Sequence, residues 1–397
     1  MLKRGCLGLA MATFLSAGLF GCAGIPTFQS ERSESLEGEA TMENESLVDF
    51  MIEVEEGRDP VVLQLTDPQI IDASQERTPD RLGVTLDTYW AKDKKEERCY
   101  RYIRQIIERS NPDLILITGD IVYGEFDDNG SALTDFVAFM ESFNIPWSPI
   151  FGNHENESKM GVDWQCQQFI DAKNCLFKRG ELTGNGNYSV GIKQGDKLLR
   201  VFYMLDSNGC TFASDASYDS GRIRLSSGFA RDQIDWYKSS IEQLKSESPD
   251  TKVSMAFHIP IKTFCYAFTG KYGYDSLQFT AIDLDKVGVD EDFGYIGAAF
   301  NGWDAGGNVW STVKALGIDS IFVGHEHCIS ASVVYEGVRL QFGLKSSTYD
   351  SLNYINSEGE IVRAYTDAGI PIVGGTVIPI SQKNGEISPY HLLYEEQ

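Results

Sequence analysis

Short, uninterrupted apolar runs recur along the chain, and each ends at polar residues that are able to bind metals. The central run, residues 114–117, leads into Gly119 and Asp120. Four apolar residues in a row predict a strand buried on both faces, as in a largely parallel sheet. The runs at 61–65, 147–151, 252–257 and 318–323 lead into Asp67, Asn153, His154, His258, His325 and His327. Because open α/β sheets bind ligands beyond the carboxyl ends of their strands, we expect these side chains to meet at one edge.

Helical spacing separates several of these runs. Apolar residues recur every three or four positions over residues 98–109 and 133–143, and further helices are predicted at 231–247 and 308–316. The alternation of strand and helix predicts right-handed crossovers and a parallel core. A hairpin predicted over residues 188–205, with its turn at Gly195, makes the sheet mixed.

The remaining segments carry weaker patterns. Residues 47–54 are a candidate edge strand, and the tail alternates strand-like runs that end in a hairpin around Gly385. Residues 259–307 are rich in Gly, Tyr and Phe without clear periodicity, so we expect long loops over the site there.

The first residues have the pattern of a targeting segment. Lys3 and Arg4 precede an apolar run over residues 7–20, which is too short for a comfortable membrane span and is typical of a secretory signal. The run closes on Gly21 and Cys22, which resembles a bacterial lipoprotein box, whereas the alternative is a plain signal peptide with an incidental cysteine. We therefore expect a signal peptide at 1–21, a lipid on Cys22, an acidic tether with the edge strand at 22–58, and one folded domain at 59–397. The expected location is the bacterial cell envelope, with the exported protein anchored to a membrane by its lipid.

The net charge of the chain limits which molecules it would bind. The formal net charge of −24 disfavours nucleic acid as a partner and also repels phosphate groups. Only concentrated positive charge, such as a pair of metal ions, would draw an anionic substrate into a site on this protein.

The eight cysteines leave two interpretations open. Six remain when Cys6 and Cys22 are set aside, and an exported protein is able to form disulfides from such a set. Cys166 and Cys175 are close enough in sequence for a local disulfide. Buried reduced thiols are the alternative.

The polar blocks, taken in order, resemble a known family. Asp67, Asp120, His258 and the blocks at 152–155 and 324–327 are similar to the motifs of the calcineurin-like metallophosphoesterases. Within that superfamily, the segments at 111–124 and 145–155 are most similar to the purple-acid-phosphatase-like branch. The resemblance implies an α/β fold in which two mixed β-sheets form a sandwich flanked by α-helices, in four layers.

The resemblance also implies a binuclear metal site. Asp120 would bridge two transition-metal ions (Fe, Zn or Mn), and the other ligands would be Asp67 and His327 on the first metal, and Asn153, His258 and His325 on the second. The implied reaction is hydrolysis of phosphate esters, phosphomonoesters foremost, by a metal-bridging hydroxide. His154 would assist the reaction as a proton or hydrogen-bond donor, with Glu155 orienting it. The implied substrate is a phosphorylated small molecule or protein.

Two positions depart from the family pattern. Most members have Asp-x-His in the first block, and here Gln69 stands in place of the histidine. Gln69 would either ligate the first metal through its amide oxygen or hydrogen-bond a metal-bound water. Tyr123 matches the ligand tyrosine of purple acid phosphatases, and the alternative is that it packs beside the site. The alternative function is therefore an exported ligand- or metal-binding lipoprotein with an impaired phosphoesterase site.

Overall fold

Two mixed β-sheets face each other, and helices cover their outer sides. The structure is a computed structural model. It describes residues 47–72, 74–75, 95–209, 226–278, 281–289, 291–303, 308–347, 353–355, 361–363 and 372–395. The expected signal segment and Cys22 lie outside these residues. The chain divides into two units, Met1–Glu45 and Ser46–Gln397, and both sheets belong to the second. Within the described ranges, no helix combines the length and the apolar character needed to cross a membrane.

The strands and helices follow one another in a largely alternating order. The described strands are β1 (Phe50–Glu53), β2 (Val61–Leu65), β3 (Leu114–Thr118), β4 (Trp147–Ile150), β5 (Asn187–Gln194), β6 (Lys197–Leu205), β7 (Lys252–Ala256), β8 (Ile282–Asp283), β9 (Tyr295–Ile296), β10 (Ser320–Val323), β11 (Ser332–Tyr335), β12 (Val338–Phe342), β13 (Asn353–Ile355), β14 (Ile361–Arg363), β15 (Gly374–Pro379) and β16 (Tyr390–Leu393). The described helices are α1 (Lys95–Ser110), α2 (Ser131–Glu141), α3 (Val162–Asp171), α4 (Arg231–Glu247), α5 (Thr263–Tyr272), α6 (Leu284–Val287) and α7 (Asn308–Ala315).

Both large sheets are mixed. The larger has the order β1-β5-β6-β7-β10-β12-β11, and its antiparallel pairs are β5 with β6 and β11 with β12. The smaller has the order β16-β15-β2-β3-β4, in which β2, β3 and β4 run parallel. β1 pairs in parallel with β5 at the edge, which confirms the edge strand expected at 47–54.

The core lies between the sheets. All five residues of β3 are buried, which agrees with the strand predicted to be buried on both faces. Polar contacts also join the sheets directly: Gln64 Nε2 donates to the carbonyl of Val323 at 3.0 Å. The end of β2 is thereby fixed to the end of β10, and both ends carry candidate ligands.

Helices complete the outer layers. α1 covers the smaller sheet, where the rings of Tyr102 and Tyr394 lie 3.9 Å apart. α4 and α7 cover the larger sheet, with Trp236 against Tyr203 at 5.7 Å and Trp310 against Tyr335 at 5.9 Å. The predicted four-layer α/β sandwich is therefore confirmed.

The predicted elements agree with the structure except in one region. The helices predicted at 98–109, 133–143, 231–247 and 308–316 correspond to α1, α2, α4 and α7, and the hairpin at 188–205 is β5–β6. The prediction of long loops over 259–307 is wrong at α5. This helix buries Phe264, Cys265, Ala267 and Phe268 while Tyr266 is exposed, so its apolar residues extend around the helix and leave no clear period.

The described cysteines are free thiols. They are Cys99, Cys166, Cys175, Cys265 and Cys328. The local disulfide between Cys166 and Cys175 is therefore not formed in the structure, and Cys210 lies outside the described residues.

A buried ion pair joins three strands of the larger sheet. Arg200, whose side chain is fully buried, donates from both terminal nitrogens to Asp319 at 2.7 and 2.8 Å. It also donates to Ser254 Oγ and to the carbonyl of Gly385. Removing the guanidinium would take this donor from the buried Ser254 hydroxyl and Gly385 carbonyl, and would take the partner charge from Asp319, whose side chain is 30% exposed.

Arg200→Met is expected to lower the free energy of unfolding by about 2–4 kcal/mol, because it breaks one side of a largely buried ion pair. Chemical denaturation of wild type and variant measures the difference. The matched control is Arg231→Met, which removes an exposed arginine paired with Asp235 and should leave stability nearly unchanged. Equal effects of the two substitutions would contradict this account.

Asp127 makes stability depend on pH. Its carboxylate caps α2 by accepting from the N–H groups of Ala132 and Leu133, at 2.9 and 3.2 Å. Burial raises the pKa of this carboxyl from 3.8 to about 6 despite those bonds. Between pH 3.8 and about 6 the folded chain binds more protons than the unfolded chain. The stabilisation from protonated Asp127 is therefore complete below pH 3.8 and is lost as pH rises through about 6.

We expect wild type to lose stability relative to Asp127→Asn as pH rises from 4 towards 6, by at most about 1.4 kcal/mol per pH unit. Above pH 6 the difference should stay constant. Denaturation at several pH values, with chelator present to exclude metal binding, measures it. A difference that is flat from pH 4 to 6 would show that the carboxyl titrates as it does in the unfolded chain.

Candidate metal centre

The candidate ligands converge because both sheets end their strands at the same place. β2, β3 and β4 of the smaller sheet and β7 and β10 of the larger sheet lead into them. The residues brought together are Asp67, Asp120, Asn153, His258, His325 and His327.

The carboxylates and imidazoles form two groups that share Asp120. One group contains Asp120, His258 and His325, and the other contains Asp67, Asp120 and His327. Within each group the ligand atoms lie within 4.8 Å of one another. This is the division that the family resemblance implies, with Asp120 common to both metals.

His258 organises the second group. Its Nδ1 lies 2.8 Å from the carbonyl of Thr118, and because a carbonyl only accepts, this nitrogen carries the proton. The Nε2 atom faces Asp120 Oδ2 and Asn153 Oδ1, both at 3.2 Å, and His325 Nδ1 at 3.3 Å. Four ligand atoms therefore face one another, with the histidine tautomer fixed as a metal ligand requires. The residues fit a metal ion.

Gln69 lies within the first group. Its Nε2 is 3.2 Å from both Asp120 Oδ2 and His327 Nε2, and His327 Nε2 is 3.4 Å from Asp67 Oδ1. The Oε1 atom of Gln69 is buried and has no hydrogen-bond partner among the described residues. A 180° rotation of the amide would direct this oxygen at the same ligand atoms, so the geometry suits a metal, and ligation by Gln69 stays a prediction.

The cluster is electrostatically demanding because Asp67, Asp120 and His258 are almost completely buried, while Asn153, His325 and His327 are partly buried. Burial opposes ionisation of Asp67, yet its bond to His327 and the charge of His258 lower its pKa to about 2. Burial likewise disfavours the charged form of His258, but Asp120 and Asp67 raise its pKa to about 10. Burial and the charge of His258 lower the pKa of His325 to about 3. Without metal, the carboxylates of Asp67 and Asp120 therefore favour the imidazolium form of His258. A bound cation would replace this positive charge.

The backbone is strained where the ligands are. Asp67, Gln69, Asp120 and His325 have φ values of 50°, 46°, 50° and 76°, in the left-handed region that residues with a Cβ rarely adopt. Such strain is typical of functional sites held by the surrounding fold. Gly152 is not strained in this way. Its small size lets Asp120 approach, because a Cβ at Gly152 would lie 2.1 Å from Asp120 Oδ1.

His154 lies at the edge of the cluster, with its Nε2 3.9 Å from Asp120 Oδ2. Its Nδ1 lies 2.7 Å from Glu157 Oε2. The expectation that Glu155 orients His154 is therefore not what the structure shows. Glu155 is fully buried and accepts the backbone N–H groups of Ile121 and Gly152, so it braces the two loops that carry Asp120 and Asn153.

Tyr123 is buried beside this histidine. Its ring stacks on His154 with centroids 4.1 Å apart and an angle of 30°, and it also contacts Phe126. This placement agrees with packing beside the site. Ligation by Tyr123 stays a prediction.

Sequence reasoning missed two residues. Glu157 follows His154 by three positions, and a short polar turn after the histidine was the available signal. Lys345 is buried and its Nζ donates to the carbonyl of Asp67 at 2.9 Å. No local pattern reveals this contact, because the two residues lie 278 positions apart.

His391 lies outside the cluster, as expected from its lack of a motif. Its Nδ1 is 3.1 Å from Thr376 Oγ1, and its Nε2 contacts the carbonyl of Ser330. Burial lowers its pKa to about 4. It is therefore a neutral, packed histidine.

The fold and the cluster define a class of protein: an α/β sandwich with a binuclear-type site of Asp, Asn and His at its strand ends. Residues 61–328 match the model of the calcineurin-like phosphoesterase family. The chain belongs to this family.

The chain is also similar to curated proteins and to solved structures. The chain is 27% identical over 267 residues to "Probable inactive purple acid phosphatase 29" of Arabidopsis thaliana, covering 61% of each chain. It is 23% identical over 248 residues to "Phosphatase DCR2" of Saccharomyces cerevisiae, covering 59% of this chain and 39% of that protein. The match therefore spans less than two thirds of either relative. The chain also resembles a solved dimetal phosphatase from Danio rerio. The match spans 85% of this chain and 100% of that chain, with 12% identity and a TM-score of 0.45.

Metal binding is expected to stabilise the fold, by about 2.7 kcal/mol when free metal is at 100 times its Kd. His258→Ala should lose both the bound metal and this gain, because Nε2 of His258 contacts every other ligand of the second group. Elemental analysis and thermal unfolding with metal or chelator measure both quantities. The control is His391→Ala, which should bind as much metal as wild type. Equal loss in the two variants would place the metal elsewhere.

Proposed function

We propose that this protein is a binuclear metal-dependent phosphoesterase that hydrolyses phosphate esters, with phosphomonoesters as the main substrates. The observation that carries the proposal is the pair of ligand groups sharing Asp120, with His154 beside them. Family membership supports the reaction class.

The metal ions, their ligands and His154 would have different chemical roles. Bound transition-metal ions would supply Lewis-acid charge to the phosphoryl oxygens and activate water for attack. Asp67, Asp120, His258 and their partners hold that charge in a buried site, where it acts strongly. His154 Nε2 would give a proton or hydrogen bond to the leaving-group oxygen, which is assistance worth about 10²–10⁴-fold. The mixture of imidazole and carboxylate ligands favours Fe, Zn or Mn.

A second candidate is a ligand- or metal-binding protein with an impaired phosphoesterase site. Two observations favour it: Gln69 stands where most of the family has histidine, and three similar plant proteins are named probable inactive purple acid phosphatases. Such a protein would bind metal or another ligand without turnover. The two candidates therefore differ in activity, and metal binding alone does not separate them.

The proposed substrate is a phosphorylated small molecule or protein, and the proposed location is the cell envelope, by a lipid on Cys22. Support for the location comes from the pattern of residues 3–22 alone. The net charge of −24 supports the view that nucleic acid is not the partner.

The domain is expected to hydrolyse phenyl phosphate after loading with Mn, Zn or Fe. Asn153→Ala should abolish turnover, and His154→Ala should lower kcat by about 10²–10⁴-fold while the metals stay bound. Steady-state kinetics and elemental analysis of the same samples measure both. His391→Ala serves as the control and should retain activity.

Two bound metals without turnover, on this and on alkyl phosphates, would favour the binding candidate. In that case Gln69→His is the discriminating variant, since restored turnover would show that the impairment resides at Gln69.

A further inference from the structure

We propose that Glu157 is the positioning residue for His154, fixing which ring nitrogen faces the substrate. The inference rests on the proposed function and deepens it. Neither the family motifs nor the sequence pattern assigns a role to this side chain.

The contact defines the tautomer. Glu157 Oε2 lies 2.7 Å from His154 Nδ1, and a carboxylate only accepts, so Nδ1 holds its proton towards Glu157. Nε2 is then the nitrogen on the side of the metal cluster, 3.9 Å from Asp120 Oδ2. With the ring reversed, His154 would present a carbon atom there instead.

The protein holds this pair from several sides. The 3₁₀ turn Glu155–Glu157 folds back so that the N–H of Glu157 donates to the carbonyl of His154 at 3.1 Å. The N–H of His154 donates to Asp120 Oδ1 at 3.0 Å, and Tyr123 stacks on the ring. The Glu157 side chain is fully buried, where a charge-assisted hydrogen bond is strong.

Neighbouring Glu155 does not share this role. Its two oxygens accept from the backbone N–H groups of Ile121 and Gly152. The two acids of one turn thus act on different partners, Glu155 on the ligand-bearing loops and Glu157 on the imidazole.

The consequence concerns one proton. In hydrolysis the bond from phosphorus to the leaving oxygen breaks and a bond to a water oxygen forms. His154 acts as the imidazolium: its Nε2 proton passes to the leaving oxygen, while Nδ1 keeps its proton in the hydrogen bond to Glu157. The neutral ring then regains a proton on Nε2 from the attacking water. The contribution of Glu157 should therefore matter only for leaving groups that need this proton.

The test compares two substrates on wild type and Glu157→Gln, each loaded with Mn. With phenyl phosphate, a poor leaving group, kcat should fall by about 10–100-fold, as is usual when a partner that orients a histidine is lost. With 2,4-dinitrophenyl phosphate, whose leaving group needs no proton, kcat should change by less than about threefold. KM and metal content should stay as in wild type.

A double variant tests whether Glu157 acts through His154. In a His154→Ala background, Glu157→Gln should cause no further loss, because the two residues act as one unit. The matched control is Glu141→Gln, which removes a carboxylate hydrogen-bonded to Trp147 and Asn174 away from the ligand cluster. It should leave the ratio of the two substrates unchanged.

Equal losses on both substrates, additive losses with His154→Ala, or loss of metal would each overturn the inference. If Glu157→Gln does not fold, Glu157→Asp carries the same comparison, and equal losses on both substrates would overturn it there. Absence of wild-type turnover on 2,4-dinitrophenyl phosphate with two metals bound would instead overturn the proposed function.

Discussion

The structure depends on bringing charged side chains together out of water. Asp67, Asp120 and His258 are each almost completely buried, and a lone charge in such a place is strongly unfavourable. In this fold, strands of both sheets end at one point, so the buried carboxylates of Asp67 and Asp120 lie next to the buried imidazole of His258. The sandwich therefore does more than bury apolar surface, since its two sheets each supply half of a mutually compensating set.

This constraint explains features that would otherwise look unrelated. The left-handed backbone at Asp67, Asp120 and His325 turns the side chains towards one another immediately after their strands end. Gly152 permits the approach of Asp120, and the carbonyl of Thr118 sets the tautomer of His258. Each is a local departure from regular structure, and the rigid strands behind them supply the stability that sustains it.

Much of this arrangement could be predicted from the sequence, because strand ends are local and ligand chemistry is distinctive. The apolar run before Asp120 indicated both a buried strand and its position in the sheet. α5 could not be predicted, since its apolar side chains, including the exposed Tyr266, leave no clear helical period in the sequence. The partner of His154 was also missed, because Glu155 and Glu157 are equally acidic and only the 3₁₀ turn decides which one reaches the ring. Contacts such as that of Lys345 with Asp67 depend on distant packing and leave no local pattern.

That last contact has a consequence for how the protein matures. The segment after β12 lies against the end of β2, where Ser346 donates to the carbonyl of Thr66 and Lys345 to that of Asp67. The first metal-ligand group thus combines the ends of two early strands with one histidine, His327, from far along the chain, and the segment with Lys345 packs against it. A growing chain holds no complete site, so metal binding would come late in folding. Bound metal would then indicate that the late segments of the chain have folded onto the early ones.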